Sequence, residues 1–179
     1  MKKIGIVVGH DPHSQGARNE KITEFDFNNS LAPLIAKHLI VVGDFTPIVI
    51  YRSDGLSKLP NQINELNMDL IISLHCNAFN KNVAGSEVLY ATTSKNGAIL
   101  ADILQKQIIS VLKNRDRGIK PTAANQNGGV ILHRTRPVAA LIEPFFIDNI
   151  REYENAESKK EQLALAIAEG VKQYYERTK

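Results

Sequence analysis

The chain has one cysteine, Cys76, and no tryptophan. A single thiol excludes an internal disulfide and any zinc cluster built on several cysteines, so a metal site here would have to use histidine and carboxylate. Neither sign of charge dominates: 22 Lys and Arg stand against 19 Asp and Glu, leaving +3. The dense basic stripe of a nucleic-acid binder is missing. No apolar run approaches the ~20 residues needed to cross a bilayer. The opening "MKKIGIVVGHD" starts with lysines as an export signal would, but its apolar stretch stops at His10 and Asp11, too short for a signal h-region. It reads as a strand, and the expectation is a protein made in the cytoplasm without a signal peptide. Neither "GARNE" nor "NQNGG" has the glycine spacing or the Lys-Ser/Thr of a nucleotide-binding loop.

What is present is an ordinary globular composition, 43% hydrophobic and 23% charged over 179 residues, enough for one domain over 1–179 with a sizeable core. Apolar runs predict strands at Lys3–Val8, Pro47–Tyr51, Leu70–Leu74, Gly85–Ala91, Val130–His133 and Val138–Ile142. Helical spacing predicts helices from Glu24 to about Val42, Leu59–Leu66, Ala98–Leu112 and Glu161–Tyr175, with Thr23 as an N-cap and Pro33 bending the first of them. The polar string "NRDRGIKPTAANQNGG" reads as a long loop. Helices alternating with short apolar strands indicate an α/β domain with a largely parallel sheet.

Polar residues sit directly beyond three of these strands: His10, His75 and Glu143. In open α/β sheets ligands gather at the carboxyl ends of strands, so these three could meet, joined by Glu24 from the first turn of the following helix. Two histidines and a carboxylate suit Zn²⁺ and leave a fourth position free. Glu143 is the hardest to explain otherwise, because "AALIEPFF" places a carboxylate in apolar sequence, where it needs a cation or a proton. Cys76 reads as a small buried thiol, since a neighbour of His75 in an extended segment points to the opposite face. A Cys76-dependent hydrolase without metal, and a binding module that has lost catalysis, remain the competing readings. His13, His38 and His133 have no spacing that recommends them as ligands.

The blocks "IGIVVGHD", "EFDFNNSLAPLIAKHL", "DLIISLHCNA", "GSEVLY" and "LIEPFFIDN" resemble, in order and spacing, the zinc-dependent N-acetylmuramoyl-L-alanine amidases, a family of autolysins and phage endolysins. The resemblance implies a three-layer fold, a twisted, mostly parallel six-stranded sheet between helices. It further implies that His10, Glu24 and His75 bind one Zn²⁺, that Glu143 is the catalytic carboxylate, and that Asn77 supports it. Glu20 is the rival to Glu24. The implied substrate is bacterial peptidoglycan, cut between muramic acid and L-alanine by a monomer without membrane insertion. His133 and Arg136, with Lys81, Arg117, Lys120 and Arg134, are candidates to edge the cleft. The chain departs from the family pattern at Asp11, where Gly is frequent, and at Gln62, where Arg is frequent. With no wall-binding repeats in the sequence, the resemblance points to a phage-type endolysin or its catalytic portion, acting on the wall after release.

Overall fold

The computed structural model describes residues 1–178. Its elements follow in the order β1 (Lys2–Val8), α1 (Glu24–Val42), β2 (Phe45–Ile50), α2 (Leu59–Glu65), β3 (Leu70–Leu74), β4 (Ser86–Ala91), α3 (Lys95–Leu112), β5 (Asp116–Thr122), α4 (Gly129–Arg134), β6 (Val138–Glu143), α5 (Ile150–Ser158) and α6 (Lys160–Arg177). The six strands form one sheet in the order β2-β1-β3-β6-β4-β5. β2, β1, β3 and β6 run parallel. β4 pairs antiparallel with β6, and β5 follows β4 in parallel, so this edge of the sheet is reversed as a unit.

Strand side chains alternate faces. In β1 and β3 that alternation sends Ile4, Ile6, Val8, Leu70, Ile72 and Leu74 to one side, against Leu31 and Ile35 of α1, Leu104 of α3 and Ile167 of α6. Val7 and Ile71 go to the other side, onto Leu59 and Ile63 of α2 and Ile131 and Leu132 of α4. Two layers of helix therefore cover the sheet, and β3 is buried along its whole length. This is why its sequence is apolar without alternation.

The sequence-predicted helix over residues 24–42 is continuous, capped by Thr23, whose hydroxyl accepts from Asp26 N at 3.2 Å. Pro33 sits on its exposed face, where the loss of one backbone bond costs least.

Two expectations are overturned. Val130–His133 is not a strand but lies in α4, which starts behind Gly128 in a left-handed conformation (φ 81°). A short apolar run does not distinguish strand from helix, and here two of its members, Ile131 and Leu132, pack side by side onto the sheet. The sixth strand is instead β5, drawn from the polar string read as a loop. As an edge strand it tolerates Asp116, Arg117, Lys120 and Pro121, which a central strand would exclude. α5 was not expected either. It is a polar helix capped by Asn149, whose side chain accepts from Arg151 N (3.2 Å) and Glu152 N (3.4 Å).

Candidate active site

β1, β3 and β6 lie side by side and end at the same edge of the sheet, so the residues that follow them are neighbours in space. His10 leaves β1 through a backbone of φ 66°. A positive φ is uncommon outside glycine, and here it turns the imidazole back toward the strand end. His75 follows β3, its N–H bonded to Ile142 O at 3.1 Å, which places it directly beside Glu143 at the end of β6. Glu24 reaches the same point from the opposite layer as the first residue of α1.

Glu24 is 3% exposed and sits between the two imidazoles. Its Oε2 is 3.1 Å from His10 Nε2 and its Oε1 is 3.0 Å from His75 Nδ1. Its remaining capacity is filled by backbone donors, Ala17 N at 3.2 Å and Cys76 N at 3.0 Å. Burial alone would raise this carboxyl, but the hydrogen bonds and charge of His10 and His75 outweigh it and hold the group at about 2. In return, the hydrogen bond to Glu24 raises His10, against the opposing effect of its partial burial.

One donor atom from each of His10, Glu24 and His75 lies within 4.8 Å of the others. Ligands about 2.0–2.2 Å from a tetrahedral Zn²⁺ would stand roughly 3–4 Å apart, so small side-chain shifts suffice. Two glycines clear this space. A Cβ on Gly16, itself at φ 75°, would come within 2.5 Å of Glu24 Oε2 and 2.8 Å of His10 Nε2. One on Gly9 would meet His75 Nδ1 at 2.9 Å. The donor set, its convergence and its fixed carboxylate all fit a divalent ion of the zinc type.

Glu143 is partly exposed as a residue, but its Oε2 is buried with no hydrogen-bond partner among the described residues. Burial, followed by the charges of Glu24 and Glu87, pushes its carboxyl well above the ordinary range. Glu87 is its cross-strand partner on β4. Asn77, expected as a supporting residue, donates to Glu87 Oε1 at 2.7 Å, while Arg117 Nε donates to Glu87 Oε2 at 2.8 Å. Sequence reading missed Glu87, Gly9 and Gly16. Glu87 alternates like any surface strand residue, and nothing in a glycine's identity tells which side chain it makes room for.

The other candidates fall elsewhere. Glu20 is exposed in the loop ahead of α1 and is not among the converging donors. His133 bonds Thr122 O at 2.7 Å through Nε2 and, with Arg136, lines a cavity of about 570 Å³ that also includes Ala91 and Val138. Because β4 runs opposite to β6, the end of β4 meets the start of β6, so this cavity opens at the far edge of the sheet from Glu143. Lys120 borders the loop at 125–127, and Arg134 is tied by its carbonyl to Asn64, also away from the site. Asp11 pairs with Arg52 and accepts from His13 N and Ser14 N at 2.9 and 2.8 Å, closing a turn. Gln62 caps the Tyr51 carbonyl at 3.1 Å.

Cys76 is 5% exposed, and burial, with the charges of Glu24 and Glu143, raises its thiol well above the ordinary value. Its Sγ faces Asn28 Oδ1 at 3.9 Å, and among the described residues it makes no hydrogen bond to an imidazole. The metal-free cysteine hydrolase is therefore set aside.

The family model described as N-acetylmuramoyl-L-alanine amidase matches residues 4–173. A cell wall amidase of Bacillus anthracis is 34% identical over 134 residues, covering 69% of this chain and 24% of that protein. N-acetylmuramoyl-L-alanine amidase LytC of Bacillus subtilis is 28% identical over 180 residues, covering 96% of this chain and 35% of that protein. The chain thus spans about a quarter of the length of the first of these relatives and about a third of the second. Among solved structures, the catalytic domain of the CD27L endolysin targeting Clostridia difficile superposes with a TM-score of 0.84 at 32% identity, over 97% of this chain and 98% of that one. A match that runs from the first strand into the last helix leaves one assignment: the chain belongs to the N-acetylmuramoyl-L-alanine amidase family.

Proposed function

We propose that this chain is a zinc-dependent peptidoglycan hydrolase that cleaves the amide between N-acetylmuramic acid and L-alanine. The observation that carries the reading is the convergence of His10, Glu24 and His75 beside Glu143, whose buried Oε2 has no hydrogen-bond partner among the described residues. The family match supports the bond cleaved, and the endolysin catalytic domain, matched over nearly its full length, supports a cell-wall-degrading catalytic unit.

In this reading His10, Glu24 and His75 hold the ion. When bound, zinc supplies Lewis acidity, polarising a carbonyl and bringing the pKa of water to about 7. Glu143 takes a proton from the attacking water as its oxygen bonds the lactyl carbonyl carbon. It then gives that proton to the alanine nitrogen as the C–N bond breaks, leaving a carboxylic acid and an amine, which pass a proton between them to become carboxylate and ammonium. Burial, followed by the charges of Glu24 and Glu87, raises its proton affinity above that of an ordinary carboxylate. Asn77, through Glu87, holds the β3 exit against β4 and keeps Glu143 in register with His75.

Metal analysis of the purified protein, paired with a chelator-sensitive assay of new alanine amino termini on isolated cell walls, tests the reading. Stoichiometric zinc and chelator-reversible amine release are expected. Wall binding without amine release would instead favour the non-catalytic module.

A further inference from the structure

Building on the amidase reading, we propose that a second cleft, walled by segments that neighbour the candidate site residues in the chain, binds the free carboxylate of an acidic stem peptide through Arg18 and Lys81. This cleft, of about 530 Å³, is lined by Arg18, Asn19, Glu20, Lys81, Asp148 and Ile150. Its walls continue the three segments that carry the proposed site residues: Arg18 precedes Glu24, Lys81 follows His75, and Asp148 follows Glu143.

The two cations differ from their neighbours. Lys21 is paired with Glu154 at 2.6 Å and Arg117 with Glu87 at 2.8 Å, whereas among the described residues neither Arg18 nor Lys81 makes an ion pair. Both ride on backbone that is hydrogen-bonded into place. Arg18 bridges to Thr23, and the adjacent Asn19 accepts from Lys21 N (2.7 Å) and Ile22 N (3.1 Å) while donating to Ile147 O (2.9 Å). Lys81 adopts φ 67°, and its N–H donates to Asp148 Oδ2 at 2.8 Å alongside Phe79 N at 3.1 Å.

Glu20 and Asp148 equal these two cations in formal charge, but two backbone donors engage Asp148 Oδ2 and its Oδ1 is buried, whereas the side-chain donors of Arg18 and Lys81 have no partner among the described residues and are open to an anion. Ile150 is 38% exposed in the lining, and Phe79, 76% exposed, stands two residues ahead of Lys81, so apolar surface flanks the charge. A ligand that offers a carboxylate on a short partly apolar chain matches both features, and a cavity of this size takes a small ligand rather than a polymer strand. A carboxylate on the second stem residue lies about 7 Å along an extended chain from the scissile amide. The cleft would then discriminate a free α-carboxyl on that residue from its carboxamide.

The test uses the zinc-loaded chain and two synthetic muramoyl-L-alanyl-γ-D-glutamyl-L-lysine substrates, identical except that the glutamyl α-carboxyl is free in one and a carboxamide in the other. Wild-type protein should favour the free acid by about tenfold in kcat/KM, mostly through KM, as charge-assisted hydrogen bonds of ordinary strength allow. The Arg18→Gln/Lys81→Gln variant should reduce that preference below about twofold. Binding of the free tripeptide, followed by NMR titration, should weaken in parallel. Cleavage with no preference, or with a preference unchanged in the double variant, overturns the cleft while the amidase reading stands. Tripeptide binding lost in the variant, with neither substrate cleaved by wild type, upholds the cleft and refutes the amidase reading.

Discussion

The two ends of the sheet carry similar polar residues and use them differently. At the carboxyl end of β1, β3 and β6, His10, Glu24 and His75 come from three separate segments and converge, and Glu143 follows Ile142 beside His75 with a buried oxygen that has no hydrogen-bond partner among the described residues. At the other end His133 is spent on the Thr122 carbonyl and Arg136 borders an open cavity. Strand direction makes the difference. Parallel strands deliver several chain exits to one edge, whereas the reversal of β4 carries its own exit away.

The sharpest way to break this comparison is to mutate both ends. Glu143→Gln is expected to retain zinc while turnover on cell walls falls by roughly 10²–10⁴-fold, the usual contribution of a general acid–base group. His75→Ala should lose the metal together with the activity, checked by metal analysis of the dialysed variant. His133→Ala and Arg136→Ala should each stay within about twofold of wild type, since surface substitutions away from a site seldom matter more. If either instead lost activity as heavily as Glu143→Gln, the separation of the two ends would be refuted.

A glycine pair sharpens the contrast further. Gly16→Ala forces a Cβ within 2.5 Å of Glu24 Oε2, whereas a Cβ on Gly118, at a similar φ of 74°, meets nothing within 4 Å. Both substitutions carry the ~1 kcal/mol or more of placing alanine at positive φ. Only the first should also weaken zinc binding, by about 10- to 100-fold, the range seen when the support of a metal ligand is disturbed. A competition titration with a chromophoric chelator measures it.

The smallest effect is a pH dependence of the chelator-treated protein. Glu24 is lowered from 4.5 to about 2, so its contribution is complete above pH 4.5 and is lost as pH falls toward 2. His10 is raised from 6.5, so its contribution is complete below pH 6.5 and is lost as pH rises through the raised value. The urea midpoint should therefore plateau between these limits and decline on both sides, and Glu24→Gln should flatten both slopes. A midpoint that climbs steadily from pH 5 to 8 would contradict the coupling.

How much of this was legible depends on what each segment buries. β1, β3, α1, α3 and α6 pack against the main core, so their apolar spacing is dense enough to read. β5 is an edge strand and α5 buries only Glu152, Tyr153 and Ala156, so neither carries enough apolar residues to stand out in the sequence. α4 was misread because its apolar triplet is too short to show a period at all. His10, His75 and Glu143 stood out in the sequence because polar groups at the ends of apolar strands are conspicuous. Arg136 and His133 do not share that placement: His133 lies in α4 and Arg136 precedes β6, which puts both at the far edge of the sheet.

Glu24 gives one oxygen to each imidazole. The protein's own contacts thereby assemble the receptacle ahead of any ion, unlike small zinc modules whose folding waits for metal. Stripping and reloading should then be repeatable on a single sample without refolding. On the proposed zinc reading, loss of the ion would leave the folded receptacle intact for the next one.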